Sequence, residues 1–172
     1  MLSDADINEL STKALSNQDL YNLFDNSIKI YKYKDLFNFK SLNDAFGPFD
    51  IMFILYEFKE NYGHWVVLCR DNTTLYFFDP YGFFPDEELK YLDKYRTITP
   101  YLSVLLIKSP LNVTFNHFRL QNLDDHDVAT CGRWCALYAL FFREASFQDF
   151  AELFLNTGLN PDKIITWLTN YA

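Results

Sequence analysis

The sequence predicts an α+β domain in which helices and strands are segregated along the chain. Three observations predict it: capped helical segments over residues 3–24, three apolar strand-sized runs between residues 50 and 79, and helical spacing again from residue 131 onward. There is no βαβ alternation, internal repeat or linker. The chain's 172 residues suit a single domain, 1–172. With 49% hydrophobic residues, 19% aromatics, five Gly and six Pro, disorder is excluded as the dominant state.

Ser3 is placed to cap DADINELSTKAL, and Ser16 or Asn17 to cap QDLYNLF, with acids in the first turns suiting the helix dipole. KIYKYKDLFNFK (29–40) interleaves lysines with rings, a pattern that could seat single-stranded nucleic acid. The alternative is a surface strand and turn whose rings pack inward while lysines face water, and the acidic whole favours it. Strands are expected at 50–58, 64–70 and 74–79, the last two forming a hairpin about Asp71–Thr73. Pro80-Tyr81-Gly82 ends the hairpin. Pro85-Asp86 opens an expected helix, EELKYLDKY, and Thr99-Pro100 has the form of an N-cap and first turn for YLSVLLIKS. NVTFNHFRL (112–120) alternates like a strand, and QNLDDHDVAT is a polar loop. A mostly buried helix follows from Cys131 to about Phe142, then FQDFAELFL behind Ser146 and PDKIITWLTNY behind Asn160.

Fifteen Lys and Arg against 23 Asp and Glu give a net charge of −8, which disfavours nucleic acid as a partner of the whole chain. Runs such as IMFILY and WVVLC are too short for a membrane helix, and the start, MLSDADINEL, lacks the regions of a signal peptide. Three cysteines, Cys69, Cys131 and Cys135, cannot complete a disulfide framework, so a reducing compartment with thiols free for chemistry is expected.

Cys131 is the sharpest position. It opens an apolar helix, where the positive end of the dipole favours thiolate, and Gly132 behind it leaves room for an approaching carbonyl. The first N–H groups of that helix lack intrahelical acceptors and are open to a developing oxyanion. Cys135, one turn deeper, and Cys69, in an apolar strand, read as core. A thiolate needs a base and an orienting group. His64 begins a strand on a turn, and pairing about Asp71–Thr73 would set it directly opposite Asp79. His117 stays open as an alternative. So does His126, only five residues before Cys131, although a solvated residue of the acidic loop is the favoured reading. Gln121 offers a non-titrating N–H₂ for an oxyanion. There is no CxxC or HxxxH, and Cys131-x-x-x-Cys135 lacks partners, so no metal or cofactor is expected.

Four blocks now stand in order: Asn61-Tyr62-Gly63-His64-Trp65, Phe78-Asp79-Pro80-Tyr81-Gly82, Gln121, and Thr130-Cys131-Gly132-Arg133-Trp134-Cys135. Together they resemble the adenovirus-proteinase and ubiquitin-like-protease superfamily of cysteine peptidases. The likeness is strongest to the capsid-maturation proteases of adenoviruses, virophages, Maverick-type elements and large DNA viruses. The resemblance implies a permuted papain-like fold, with a central mixed sheet, helices packed around it and the nucleophile at a helix N-terminus. It also implies His64 as general base, Asp79 as its orienting acid, Gln121 as oxyanion donor and Cys131 as nucleophile. Trp65 would wall a narrow channel admitting only glycine-like residues before the cut, implying cleavage in Gly-Gly, Gly-Ala or Ala-Gly contexts, and Gly132 joins it as a substrate-binding position. The interval from Gln121 to Cys131 is longer than in many relatives, so the loop between them must bulge. Adenovirus proteinase also uses DNA and a peptide as activators, and the acidic chain gives no support for the DNA.

The expectation is a monomeric cysteine endopeptidase acting on polypeptide precursors of the viral capsid, in the virion and host-cell cytoplasm, without nucleic acid, membrane or cofactor. A deconjugating protease for a ubiquitin-like modifier and an acyltransferase using the same triad are the alternatives. A catalytically dead binding module is disfavoured by the intact Cys, His and Asp set.

Overall fold

Strands form where the sequence is apolar on both faces, because helices cover both sides of the sheet. The computed structural model describes residues 2–92 and 99–170. Its five strands are β1 (Lys29–Lys32), β2 (Ile51–Lys59), β3 (Tyr62–Arg70), β4 (Thr74–Phe78) and β5 (Asn112–Phe115), in spatial order β1-β2-β3-β4-β5. The three middle strands are antiparallel, while β1 and β5 add to the two edges in parallel. This is an α+β fold with the central mixed sheet that the resemblance implies.

The helices are α1 (Asp4–Ser11), α2 (Asn17–Leu23), α3 (Leu42–Phe46), α4 (Tyr101–Lys108), α5 (Cys131–Phe141), α6 (Phe147–Leu155) and α7 (Pro161–Thr169). On one face of the sheet, Phe53, Leu55, Trp65, Val67, Cys69 and Phe78 pack against α5, α6 and α7. Rings dominate this layer: Phe78 stacks on Tyr138 at 4.5 Å, and Trp134 meets Phe154 edge-on at 4.7 Å. On the other face, Met52, Ile54, Tyr56, Val66, Leu68 and Phe77 pack under α3, α4 and a 3-10 helix, Tyr33–Asn38. Each such buried apolar side chain contributes roughly 1.5–3 kcal/mol.

Several elements differ from the sequence reading for local reasons. Helix α1 stops at Ser11, short of Leu15, because the Ser11 and Thr12 hydroxyls donate to the carbonyls of Asn8 and Glu9. Ser16, rather than Asn17, caps α2, in a capping box with Asp19. Phe37, expected to face inward, is exposed, and Lys32 pairs with buried Glu57 at 2.8 Å. Of EELKYLDKY, residues 87–90 form a 3-10 turn, and residues 93–95 lie outside the described residues.

Pro100, not Thr99, stands at the α4 cap. The free N–H groups of that helix instead reach the Tyr33 hydroxyl (2.9 Å from Tyr101) and Asp86 (2.7 Å from Ser103). Strand β5 ends at Phe115, because the Asn116 side chain turns back to bond Phe118 N–H and the carbonyls of Asp79 and Phe118.

The hairpin register also differs. Val67 faces Phe78 and Arg70 faces Leu75, so the pairing lies two positions from the register that would set His64 opposite Asp79. Asp71 is itself paired across the turn, its N–H bonding Thr74 O at 3.0 Å, which shortens the loop to Asn72-Thr73. A shift of two preserves which face each side chain occupies. His64 and Asp79 therefore remain on one face and meet diagonally.

Candidate active site

Strand β3, the turn after β4, the 121–130 loop and the N-terminus of α5 converge at one end of the sheet. They line a cleft of about 200 Å³ that includes Gly63, His64, Tyr81, Glu88, Gln121, His126 and Cys131. His64 and Asp79 are 3% and 1% exposed, and His64 Nε2 lies 2.8 Å from Asp79 Oδ1. Asp79 is fixed by the turn that ends the hairpin: its Oδ1 also accepts from Tyr81 N–H at 2.8 Å, and its backbone carbonyl accepts from Asn116 at 2.7 Å. The Tyr81 ring stacks on the His64 imidazole at 4.2 Å, holding its plane.

Nε2 is taken by Asp79, which leaves Nδ1, and the Cys131 side chain is near enough to act on the imidazole. Burial works against a charged imidazole here. The Asp79 charge and hydrogen bond, with the Cys131 contact, outweigh it and hold the ring well above its ordinary value.

Cys131 is 5% exposed and is the first residue of α5. Its Sγ accepts from Trp65 N–H at 3.5 Å, while Cys135 one turn on donates to Trp65 O at 3.3 Å. The two thiols thus hold both backbone groups of one β3 residue, Trp65, against the helix. Thr130 precedes Cys131 but does not cap α5, because its hydroxyl is committed to Asp162 on α7. Trp134 is the first residue whose N–H closes on the helix, at 3.0 Å from Thr130 O. The N–H groups ahead of it carry the helix's positive end next to the thiol. Burial pushes the Cys69 and Cys135 thiols up, and both are enclosed in the core.

Gln121 is buried on the same cleft. Its Nε2 makes only long contacts, 3.4 Å each to Tyr81 Oη and Val128 O, and its Oε1 has no partner. The longer Gln121–Cys131 interval is absorbed by a clamp. One Asp162 carboxylate accepts from Asn122 N–H (2.8 Å), the Thr130 hydroxyl and Trp134 Nε1 (3.0 Å), tying both ends of the loop together.

The structure does not bring every expected residue to the cleft. Trp65 is buried, its indole N–H donating to Leu15 O at 3.1 Å, and it is not part of the cleft lining. Gly132 faces this ring: a Cβ there would stand 3.1 Å from Trp65 Cδ1 and 3.2 Å from Leu15 Cβ. The space beside the thiol at Gly132 is therefore filled by protein. His126 lies on the cleft, whereas His117 packs against Phe84 away from it.

Sequence reasoning missed Glu88. It is 7% exposed, it faces the same cleft, and burial raises its carboxyl above the ordinary value, with His64 opposing and Asp79 adding. It sits in a charged run, EELK, that reads as solvent-facing, so the sequence held no signal for it. Asp162 was missed too, although Asn160-Pro161 marks the helix start that places it.

No family model matches the chain. Uncharacterized protein V9 of Sputnik virophage is 36% identical over 166 residues, spanning 91% of this chain and 94% of that protein. The ASFV pS273R protease aligns with a TM-score of 0.50 at 11% identity, over 91% of this chain. This chain spans 66% of that protease's length, so the larger protein has segments with no counterpart here. ChlaDub1 from Chlamydia trachomatis aligns at a TM-score of 0.43 and 12% identity, covering 96% of this chain and 74% of its own. The ASFV likeness is one of fold: a mixed sheet wrapped by helices, as in papain-like cysteine proteases. Identity over nearly the full length of both chains establishes kinship, and the chain belongs to the family of the Sputnik virophage protein V9.

Proposed function

We propose that the protein is a cysteine endopeptidase that processes viral structural precursors during virion maturation. The observation that carries this reading is the cleft itself. A buried His64–Asp79 pair at 2.8 Å lines the same cleft as a thiol at the uncapped N-terminus of α5. In this reading Cys131 attacks the peptide carbonyl and His64 passes the proton to the leaving amine. The acyl-enzyme is then released by water. Asp79 holds the imidazole in the tautomer and orientation the transfer needs. Gln121 Nε2, held only by long contacts, and the first N–H groups of α5 receive the oxyanion.

Cleavage at Gly-Gly, Gly-Ala or Ala-Gly sites is the finer part of the proposal. Its support is the resemblance of the His64, Asp79 and Cys131 blocks to the capsid-maturation proteases, since Trp65 and Leu15 pack on Gly132 outside the cleft lining. Kinship with a virophage protein supports viral precursors as substrates and the assembly site, in virion and host-cell cytoplasm, as the place of action.

The test is a panel of Gly-Gly, Gly-Ala and Ala-Gly peptides with wild type and Cys131→Ala. Cleavage by wild type alone is expected. Intact peptides throughout, with the two proteins indistinguishable, would sink the peptidase reading. Acetyl transfer from coenzyme A, or release of a ubiquitin-like modifier with the short peptides left intact, would redirect it.

A further inference from the structure

A buried carboxyl group needs a proton, a hydrogen-bond donor or a cation to offset its lost hydration. Glu88 has little of this from the protein. Its side chain is more than nine-tenths buried, and its Oε2 has no hydrogen-bond partner. It also stands beside a second buried acid: the ligand atoms of His64, Asp79 and Glu88 all lie within 4.8 Å of one another. The three belong to separate parts of the chain, β3, the turn after β4 and the 3-10 turn Glu87–Lys90, and converge only in the fold.

We propose that His64, Asp79 and Glu88 form a divalent-cation site of the zinc class, distinct in its ligands from any thiolate site at Cys131. One imidazole nitrogen and two carboxylates form a donor set suited to Zn²⁺, with metal–ligand bonds of about 2.0–2.2 Å. Ligand atoms around a tetrahedral ion bonded at these lengths stand about 3.3–3.6 Å apart, a spacing inside the 4.8 Å span of the three. Two carboxylates and a dication are neutral together, which removes the electrostatic cost of two acids buried side by side. The cleft gives the ion a way in, since His64 and Glu88 both line it. Magnesium and calcium, which prefer oxygen-only ligands and more of them, fit this set poorly.

Occupancy would convert the His64–Asp79 hydrogen bond into two metal bonds. An imidazole held by the ion is no longer free to exchange protons with Cys131. Binding itself requires no peptidase activity, so the test is independent of the proposed reaction.

The experiment titrates Zn²⁺, by calorimetry, into Cys131→Ala, which removes the thiol as a ligand. The same titration is run on the double variant Cys131→Ala/Glu88→Gln, with thermal unfolding confirming that both are folded. A single ion is expected in Cys131→Ala, with affinity falling about tenfold or more in the double variant, and Mg²⁺ is expected to bind neither. Co²⁺ in place of Zn²⁺ is expected to give visible d–d bands in Cys131→Ala that vanish with Glu88→Gln. No zinc binding by folded Cys131→Ala, or equal affinity in both variants, overturns the site. If Glu88→Gln fails to fold, His64→Asn in the Cys131→Ala background takes its place. Retained affinity there overturns the proposal equally.

Discussion

Cys131, Cys69 and Cys135 lie in one chain but in three different surroundings. Cys69 is enclosed between sheet and helices, where burial raises its thiol, and Cys135 is held by a hydrogen bond to Trp65 O. Cys131 alone borders the cleft and meets an imidazole. Thiolate character and access both govern alkylation, so the three should separate by rate. Treatment of the native protein with iodoacetamide near pH 7, followed by peptide mass spectrometry, is expected to label Cys131 at least tenfold faster than either of the others. Equal rates, or labelling of Cys69 first, would remove the case for an activated thiol. The histidines were separable in sequence only in part. The strand end raises His64 above His117 and His126, and the structure places His117 on Phe84 and His126 as an exposed loop residue at the edge of the cleft.

At the scale of elements, the hairpin between β3 and β4 delivers both His64 and Asp79, and Asp71 sets its turn. Asp71 Oδ1 accepts from Thr73 N–H and Thr74 N–H at 2.8 Å each, and Oδ2 accepts from the Tyr76 hydroxyl at 2.7 Å. The Thr73 backbone bond is the largest cause of an acidity pushed down to about 2, with the Tyr76 hydroxyl next. A carboxyl more acidic in the folded than in the unfolded chain stabilises the fold above its unfolded value, near 3.8, and loses that contribution as pH falls toward about 2. The turn is largely exposed, so the effect is modest. Asp71→Ala is expected to lower unfolding free energy by about 1 kcal/mol at neutral pH. The difference from wild type should shrink when urea melts are repeated near pH 2. A difference constant across that range would show that Asp71 acts by something other than its ionised hydrogen bonds. The same turn explains what the sequence left unread. The Asp71–Thr73 signal marks a hairpin without showing whether Asp71 belongs to the loop or to the ladder, and that choice moves the register by two. A shift of two leaves every strand residue on its own face, so the His64–Asp79 meeting survived the register error.

Across the whole molecule, what the sequence could not disclose is where distant segments are fastened. The strand runs, the caps at Ser3, Ser16, Ser146 and Asn160, and the helix opened by Cys131 are all local patterns, and the fold follows them. Glu88 in the cleft, Leu15 over Trp65 and Asp162 under the 121–130 loop depend on contacts across long separations. Asp162 is the most consequential of these, because one buried carboxylate of α7 joins the loop after Gln121 to the start of α5. It receives Asn122 N–H, the Thr130 hydroxyl and Trp134 Nε1, and it also keeps the Thr130 hydroxyl from capping the helix that bears Cys131. Asp162→Asn preserves shape but exchanges one acceptor for a donor, so at least one of the three donors is left facing an N–H₂ group. The expected cost is about 2 kcal/mol in denaturant unfolding. Under conditions where the variant is fully folded, Cys131 should still be alkylated, because its His64 contact does not pass through Asp162. Peptide turnover should nevertheless fall, because Gln121 is no longer held in place. Wild-type stability in Asp162→Asn would mean that the clamp carries no net energy. Lost stability with full turnover would mean that it holds the C-terminal helix without aligning the loop.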